Sequence, residues 1–280
     1  MNSDYSAWVG QSETMSDVLE PSRTNALRAA LGETAALAHG APLPLLYHWL
    51  YFWNVQPPEK LGVDGHPAKG GFLPPVPLPR RMWAGGRLKF HSPLRVGERI
   101  TKTSTILKVE AKSGRSGNLV FVTVEHKLSN KLGLAIVEEQ DIVYRDAAAP
   151  GSISAPATGT PDPAAIWQRN VQPDTVLLFR YSALTMNGHR IHYDRPYAID
   201  EESYPALVVH GPLQATLLAD LATRNLSSPI ATFDFRGQAP AFDGSLLHVC
   251  GEPTENGASL WTEQGGGKNM VATVTCGASE

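Results

Sequence analysis

The sequence is poor in cysteine: Cys250 and Cys276 are the only two in 280 residues. Two thiols cannot build a disulfide framework, and their spacing matches no zinc-binding pattern. They read as buried reduced thiols, which suits a cytoplasmic protein. An excess of charge is also missing. Lys and Arg total 24 against 27 for Asp and Glu, a net charge of −3, so nothing points to nucleic acid as a partner. No stretch approaches the roughly 18 apolar residues of a membrane helix. Met1 to Gly10 has neither the basic start nor the apolar run of a signal peptide. A Gly-x-Ser-x-Gly elbow is absent, which argues against a serine hydrolase. The Gly265-Gly-Gly-Lys268 run lacks phosphate-loop spacing and reads as a flexible hairpin. The expectation is a cytoplasmic chain with no membrane or nucleic-acid partner and no cofactor.

What is present is a chain that is 42% apolar and long enough for two ordinary domains. Ala147 to Ala165 reads AAAPGSISAPATGTPDPAA, a composition that buries little and stays extended. It predicts a linker, residues 147–165, between units at 1–146 and 166–280.

The first unit opens with a predicted helix, Arg23 to Ala38. From Ala41 to Pro79, repeated prolines forbid long regular elements. Irregular segments of that length are usually functional or pack over something. Tyr47, Trp49, Tyr51, Phe52 and Trp53 crowd its start and read as core with partial pocket lining. Strands are predicted at Gly86 to His91, Arg99 to Val109, Asn118 to Lys127 and Leu134 to Tyr144, where Val120, Val122 and Val124 alternate with Phe121, Thr123 and Glu125. In the second unit, strands are predicted at Thr175 to Tyr181, Ile230 to Arg236, Leu246 to Gly251, Leu260 to Gln264 and Met270 to Cys276, and a helix at His210 to Leu226. The units echo each other. Ser92 to Ile100 (SPLRVGERI) resembles Ala239 to Leu247 (APAFDGSLL), and strands break at Ser116–Gly117 and at Asn256–Gly257. Two copies of one helix-plus-antiparallel-sheet unit, an α+β architecture, follow from that echo.

Chemistry concentrates in Phe179 to Ala198. Asn187, His189, Arg190, His192, Asp194 and Arg195 fall within nine positions, and His210-Gly-Pro-Leu213 comes soon after. Histidine titrates near neutrality and suits proton transfer. A helix start with Pro212 in its first turn and Gly211 before it offers unpaired N–H groups to a developing negative charge. His189 and His192 have HxxH spacing, but a metal site would need His210 or Asp194 as a third ligand, and no metal is expected.

Asn-Gly-His-Arg-Ile-His-Tyr-Asp (187–194), with the later His210-Gly211, resembles the MaoC-like hydratase 2 family. It is most similar to the subgroup of itaconyl-CoA and mesaconyl-C4-CoA hydratases and 3-hydroxyacyl-thioester dehydratases. Arg87 to Leu94 and the Lys112 to Gly117 turn extend the resemblance to the first unit. The resemblance implies a double hotdog fold, in which each unit wraps a sheet around a helix, and a possible homodimer. It implies reversible addition of water to an α,β-unsaturated acyl-CoA, with a short branched dicarboxylic acyl group the favoured substrate. Registered on His192, the family's aspartate falls on Asn187, which cannot take a proton as a carboxylate does. The base role then passes to His192, helped by Asp194, with Asn187 holding water and the Gly211 N–H facing the enolate oxygen. Arg190, Tyr193, His189 and His210 are the candidates for holding substrate. Arg190 would fork onto a free carboxylate, with Arg80 and Arg81 as rivals. Arg236 and Lys268 are candidates, by charge alone, for the CoA phosphates. The alternatives are a dehydratase of fatty acid synthesis acting on carrier protein, a thioesterase, and a non-catalytic acyl-CoA-binding module.

Overall fold

The computed structural model describes residues 5–114, 117–147 and 165–277. The predicted linker, apart from its end residues, lies outside the described residues. The chain order is β1 (Ser12–Val18), α1 (Pro21–Ala30), β2 (Arg80–Phe90), β3 (Arg99–Gly114), β4 (Gly117–Asn130) and β5 (Gly133–Arg145), then β6 (Trp167–Val171), α2 (Thr175–Thr185), α3 (Gly211–Asn225), β7 (Ile230–Gly237), β8 (Leu247–Thr254), β9 (Gly257–Gln264) and β10 (Gly267–Cys276).

All ten strands join one sheet in the order β1-β3-β4-β5-β2-β7-β10-β9-β8-β6. Read outward from the β2/β7 seam, both halves have the same topology, β2-β5-β4-β3-β1 and β7-β10-β9-β8-β6. The two-copy reading is therefore present in the strand order. The echoed segments occupy equivalent places, each leading into the third strand of its half, and their glycines Gly97 and Gly244 both take positive φ, 88° and 80°. Each echo also pairs with a preceding extended segment. Leu43 N–H donates to the Leu94 carbonyl and Val96 N–H to Ala41, while Val209 N–H donates to Ala241 and Asp243 N–H to Leu207.

The halves diverge after those segments. The second runs directly into α3, whose Leu213, Ala215, Leu217, Leu218, Ala219, Leu221 and Ala222 are all buried. Such all-round burial makes α3 the core of its half. The first half instead makes a short 3-10 turn, Tyr47–Leu50, and then the proline-rich strap returns over the sheet. Val76 and Leu78 of the strap close a second core against Ile106, Val120, Val122, Ile142 and Tyr144. The strap thus covers a sheet that lacks its central helix.

Two predicted elements differ. Thr175 to Tyr181 is a helix, not a strand. Asp174 caps it, its Oδ1 accepting the Leu177 N–H at 2.7 Å, and capping outweighs the β-branched and aromatic residues at its start. The helix at Arg23 to Ala38 stops at Ala30, where the chain turns through Gly32 at φ 91°. β1 and β6, the two edge strands, were not predicted. The Gly265–Gly266 turn between β9 and β10 matches the expected hairpin.

Candidate active site

The site forms where the second half's polar loop meets the first half's strap. α2 ends at Met186, which takes the left-handed conformation (φ 52°), and the Asn187 N–H returns to the Ser182 carbonyl at 2.8 Å. The loop then turns through His189 into a 3-10 turn, Arg190–His192. His192 is anchored from behind. Its Nδ1 lies 2.7 Å from the Val208 carbonyl. A carbonyl only accepts, so Nδ1 carries the hydrogen and Nε2 keeps its lone pair. The ring stacks on His210, centroids 3.6 Å apart, and His210 Nε2 pairs with the Ser182 hydroxyl at 2.8 Å.

These histidines are held neutral. Burial pushes His192 down to about 3, and the neighbouring His189 adds to the effect against the Val208 hydrogen bond. Burial, then the charge of His66, lowers His189 to about 3 as well. His210, fully enclosed, is lowered for the same reason. Desolvation disfavours the charged imidazolium, and each ring then denies a proton to the next.

The strap brings in two groups that the sequence reading did not select, Asp64 and His66. Ligand atoms of Asp64, His66 and His189 lie within 4.8 Å of one another. His66 Nδ1 sits 3.2 Å from Asp64 Oδ2, and the His66 backbone N–H donates to Oδ1 at 3.1 Å. The rings of His66 and His189 are 4.3 Å apart. Burial alone would raise Asp64, but its bonds to His66 and the charges of His66 and His189 outweigh it and hold the carboxyl below its ordinary range. Two imidazoles and a carboxylate would suit a divalent cation by donor type. Asp64 and His66 already pair with each other through Oδ2 and Nδ1 without one. The strap is fixed to the loop by backbone: Arg190 N–H donates to the Asp64 carbonyl at 2.9 Å. Gly65 and Gly188 meet so closely that a Cβ on Gly65 would stand 2.0 Å from the Gly188 oxygen.

A cavity of about 1380 Å³ opens over this meeting point. Asp64, His66, Arg81, Asn187, His189, His192 and Gly211 all line it. Its lining also includes residues from both faces of β5, Gln140 and Ile142 on one and Asp141 and Val143 on the other. Deeper in the first half, Glu138 accepts from Trp49 Nε1 at 3.0 Å and pairs with His48 at 2.9 Å.

The predicted residues separate into two groups. His192, Asn187, His189 and Gly211 reach the cavity. Asn187 spends its Oδ1 on the His189 N–H at 3.0 Å, shaping the loop. Gly211 opens α3, and a Cβ there would meet only Met270, at 3.8 Å, so a ligand can approach the backbone. Asp194 does not support His192: it pairs with Arg190 at 2.7 Å and accepts the Tyr197 N–H at 3.2 Å. Arg190 is held away from the cavity by that i,i+4 pair and by the Val63 carbonyl. Tyr193, 46% exposed, turns its hydroxyl to the Gly188 carbonyl. His210 stands behind His192 and is 0% exposed. Of the rival arginines, Arg80 is paired with Glu202. Arg81 has no carboxylate partner among the described residues and lies beside the buried Tyr144 hydroxyl. Arg236 lines the cavity, and Lys268 lies over the Trp261 ring.

Two matched half-sheets around a histidine-lined cavity define a double hotdog protein of the MaoC-like class. Solved structures share this fold. HtdX of Mycobacterium tuberculosis matches with a TM-score of 0.66 at 17% identity, over 95% of this chain and 100% of that one. A MaoC-like dehydratase of Phytophthora capsici matches at 0.67 and 12%, over 97% of each chain. Another Mycobacterium tuberculosis protein, described as a double hotdog, matches at 0.57 and 14%, over 96% of each. The model of the hydroxyacyl-thioester dehydratase type 2 family matches residues 46–243, and the chain belongs to that family. It is 46% identical to mesaconyl-C(4)-CoA hydratase of Chloroflexus aurantiacus over 99% of both chains. It is 30% identical to the mitochondrial hydroxyacyl-thioester dehydratase type 2 of Schizosaccharomyces pombe, covering 78% of this chain and 79% of that one.

Proposed function

We propose that this chain is a hydro-lyase that adds water across the α,β double bond of a short dicarboxylic enoyl-CoA of the mesaconyl-C4 or itaconyl type. The observation that carries this reading is His192: a neutral imidazole with Nδ1 committed to Val208 and its Nε2 lone pair left for the attacking water. The full-length identity to a mesaconyl-C(4)-CoA hydratase supports the reaction class. In this reading water bound at His192 Nε2 attacks the β-carbon. The thioester oxygen gains charge and is met by the Gly211 N–H at the start of α3. Asn187 shapes the loop beneath. The duplicated topology supports units at 1–146 and 166–280 joined by the intervening segment, with one site built from both.

The dicarboxylic class rests on Arg81. Arg80 and Arg190 are already paired with carboxylates, whereas Arg81 faces the cavity as an uncompensated fork, the geometry that a free carboxylate fills best.

The test incubates the purified chain with mesaconyl-C4-CoA, itaconyl-CoA and crotonyl-CoA and follows enoyl-thioester absorbance together with free thiol. Loss of absorbance without thiol, abolished in His192→Ala, is the expected result. Arg81→Ala should cost the dicarboxylic substrates much more than crotonyl-CoA, and equal losses would remove the carboxylate from the reading. Thiol release would make the chain a thioesterase.

A further inference from the structure

The hydratase reading leaves a gap in proton transfer. Hydration needs a group that removes a proton from water and returns one to the α-carbon. The loop supplies no carboxylate for this, since Asn187 is an amide and Asp194 is bound to Arg190. A carboxylate nevertheless reaches the cavity from the other half of the chain.

We propose that His66, oriented by Asp64, is a second catalytic residue, brought across from the first half by the strap to move the proton between water and the α-carbon. The inference rests on the hydratase reading and deepens it. Asp64 Oδ2 faces His66 Nδ1 at 3.2 Å, so that nitrogen carries the hydrogen and Nε2 holds a lone pair. Both imidazoles, His66 and His192, line the same cavity and neighbour the His189 ring, with centroids 4.3 Å and 5.5 Å from it. They differ in what stands behind them. His192 is backed by a neutral carbonyl and His66 by an anionic carboxylate, which stabilises an imidazolium far better. His66 is therefore the stronger base and His192 the partner that aims the water. As the oxygen–carbon bond forms at the β-carbon, the water proton passes to His66 Nε2. The π electrons move onto the thioester oxygen as an enolate at the Gly211 N–H. The enolate collapses, the α-carbon takes the proton back from His66, and the enzyme returns to its starting state. One base that both takes and gives the proton delivers hydroxyl and hydrogen to the same face of the double bond.

The interlock of Gly65 with Gly188 and the bond from Arg190 N–H to the Asp64 carbonyl are what this role requires, since they fix the pair relative to His192 through backbone rather than flexible side chains.

The experiment compares full-length wild type, His66→Gln, His66→Ala and Asp64→Asn on the best enoyl-CoA substrate, with melting temperatures as a folding control. The expected result is a kcat lower by about 10²–10⁴-fold in His66→Gln with KM little changed, and partial recovery of His66→Ala by added imidazole. Asp64→Asn should lower kcat by a smaller factor, also without a KM change. If His66→Ala does not fold, His66→Gln and Asp64→Asn decide alone. An unchanged kcat in folded His66→Gln would overturn the proposal while leaving the hydratase reading standing. So would a loss confined to KM, or wild-type activity abolished by a chelator and restored by zinc, which would mark the cluster as a metal site. A wild-type chain that hydrates no enoyl thioester would overturn both readings.

Discussion

His192 and His210 stack face to face, 3.6 Å between centroids and 18° from parallel, although both are histidines that could carry charge. Parallel stacking at that distance is tolerable only for neutral rings, because two imidazoliums would repel where both side chains are buried. Folding therefore keeps both rings unprotonated below the ordinary histidine range. Their folded values are lowered, His192 to about 3, so the unfolded chain binds more protons once pH drops below about 6.5. Stability is full above that pH and is lost progressively as pH falls toward the folded values. The melting temperature should decline between pH 6.5 and pH 5, before ordinary carboxylates begin to titrate. His192→Phe should show a shallower decline over that interval, and identical slopes would refute the neutral stack.

The strap should be sensitive at a position with no chemistry of its own. Gly65 has φ 85°, and a Cβ there would strike the Gly188 carbonyl, which is backbone and cannot swing aside. Gly65→Ala should cost about 1–3 kcal/mol of local strain. Limited proteolysis should find residues 54–79 cut faster than in wild type, and hydration should fall more than global melting does. An unchanged digestion pattern would show that the interlock is dispensable.

Glu138 is buried with His48, Trp49 and His126 around it. Burial alone would raise its carboxyl, but those partners outweigh it and keep the group below its ordinary range. Glu138→Ala leaves the Trp49 indole N–H and His48 without their acceptor and should cost about 3–5 kcal/mol in urea unfolding. The native contribution is present above about 4.5 and is lost as pH falls through the lowered value. A cost under about 1 kcal/mol would mean that water replaces the carboxylate freely.

The charge cluster on β2 and β5 invites the opposite expectation. Arg87 bonds both Glu139 and Asp141, yet its side chain is 45% exposed. Arg87→Ala should shift unfolding by less than about 1 kcal/mol. The neighbouring β2/β7 seam depends on backbone pairing and close packing instead. Gly85 and Gly86 let Phe235 approach, and a Cβ on Gly85 would stand 2.5 Å from the Phe235 carbonyl. A large effect of Arg87→Ala in chemical denaturation would show that charge between β2 and β5 stabilises the first half more than its exposure allows.

Much of this was legible in residue order. Period-two valines located β4, and the proline after Gly211 located the start of α3, because both signals are local. The echo of Ser92–Ile100 in Ala239–Leu247 anticipated the duplicated sheet. β1 escaped notice because Ser12–Val18 is an edge strand held partly by hydroxyl pairs such as Thr14 with Thr103, which leave no apolar alternation. α2 was misread because its β-branched and aromatic residues masked the cap at Asp174. In the site, Asp194 was assigned to His192 by nearness in sequence, but a helical spacing of four gave it to Arg190. Asp64 and His66 were missed for the converse reason. They lie more than a hundred residues from His189, and only the strap's path brings them there. The available signal was an Asp-Gly-His turn in a long irregular segment, itself a mark of function.

The duplicated sheet also fixes a number that activity alone would not reveal. Two matched half-folds could in principle offer two matched binding sites. Here the segment 41–43 leads into a short 3-10 turn, whereas its counterpart 207–209 leads into α3 and the Gly211 N–H. Among the described residues, only α3 of the three α-helices starts at the cavity, and the first half supplies wall, carboxylate, imidazole and arginine instead. A calorimetric titration with a non-hydratable thioester analogue should saturate at one equivalent per chain, with a single affinity.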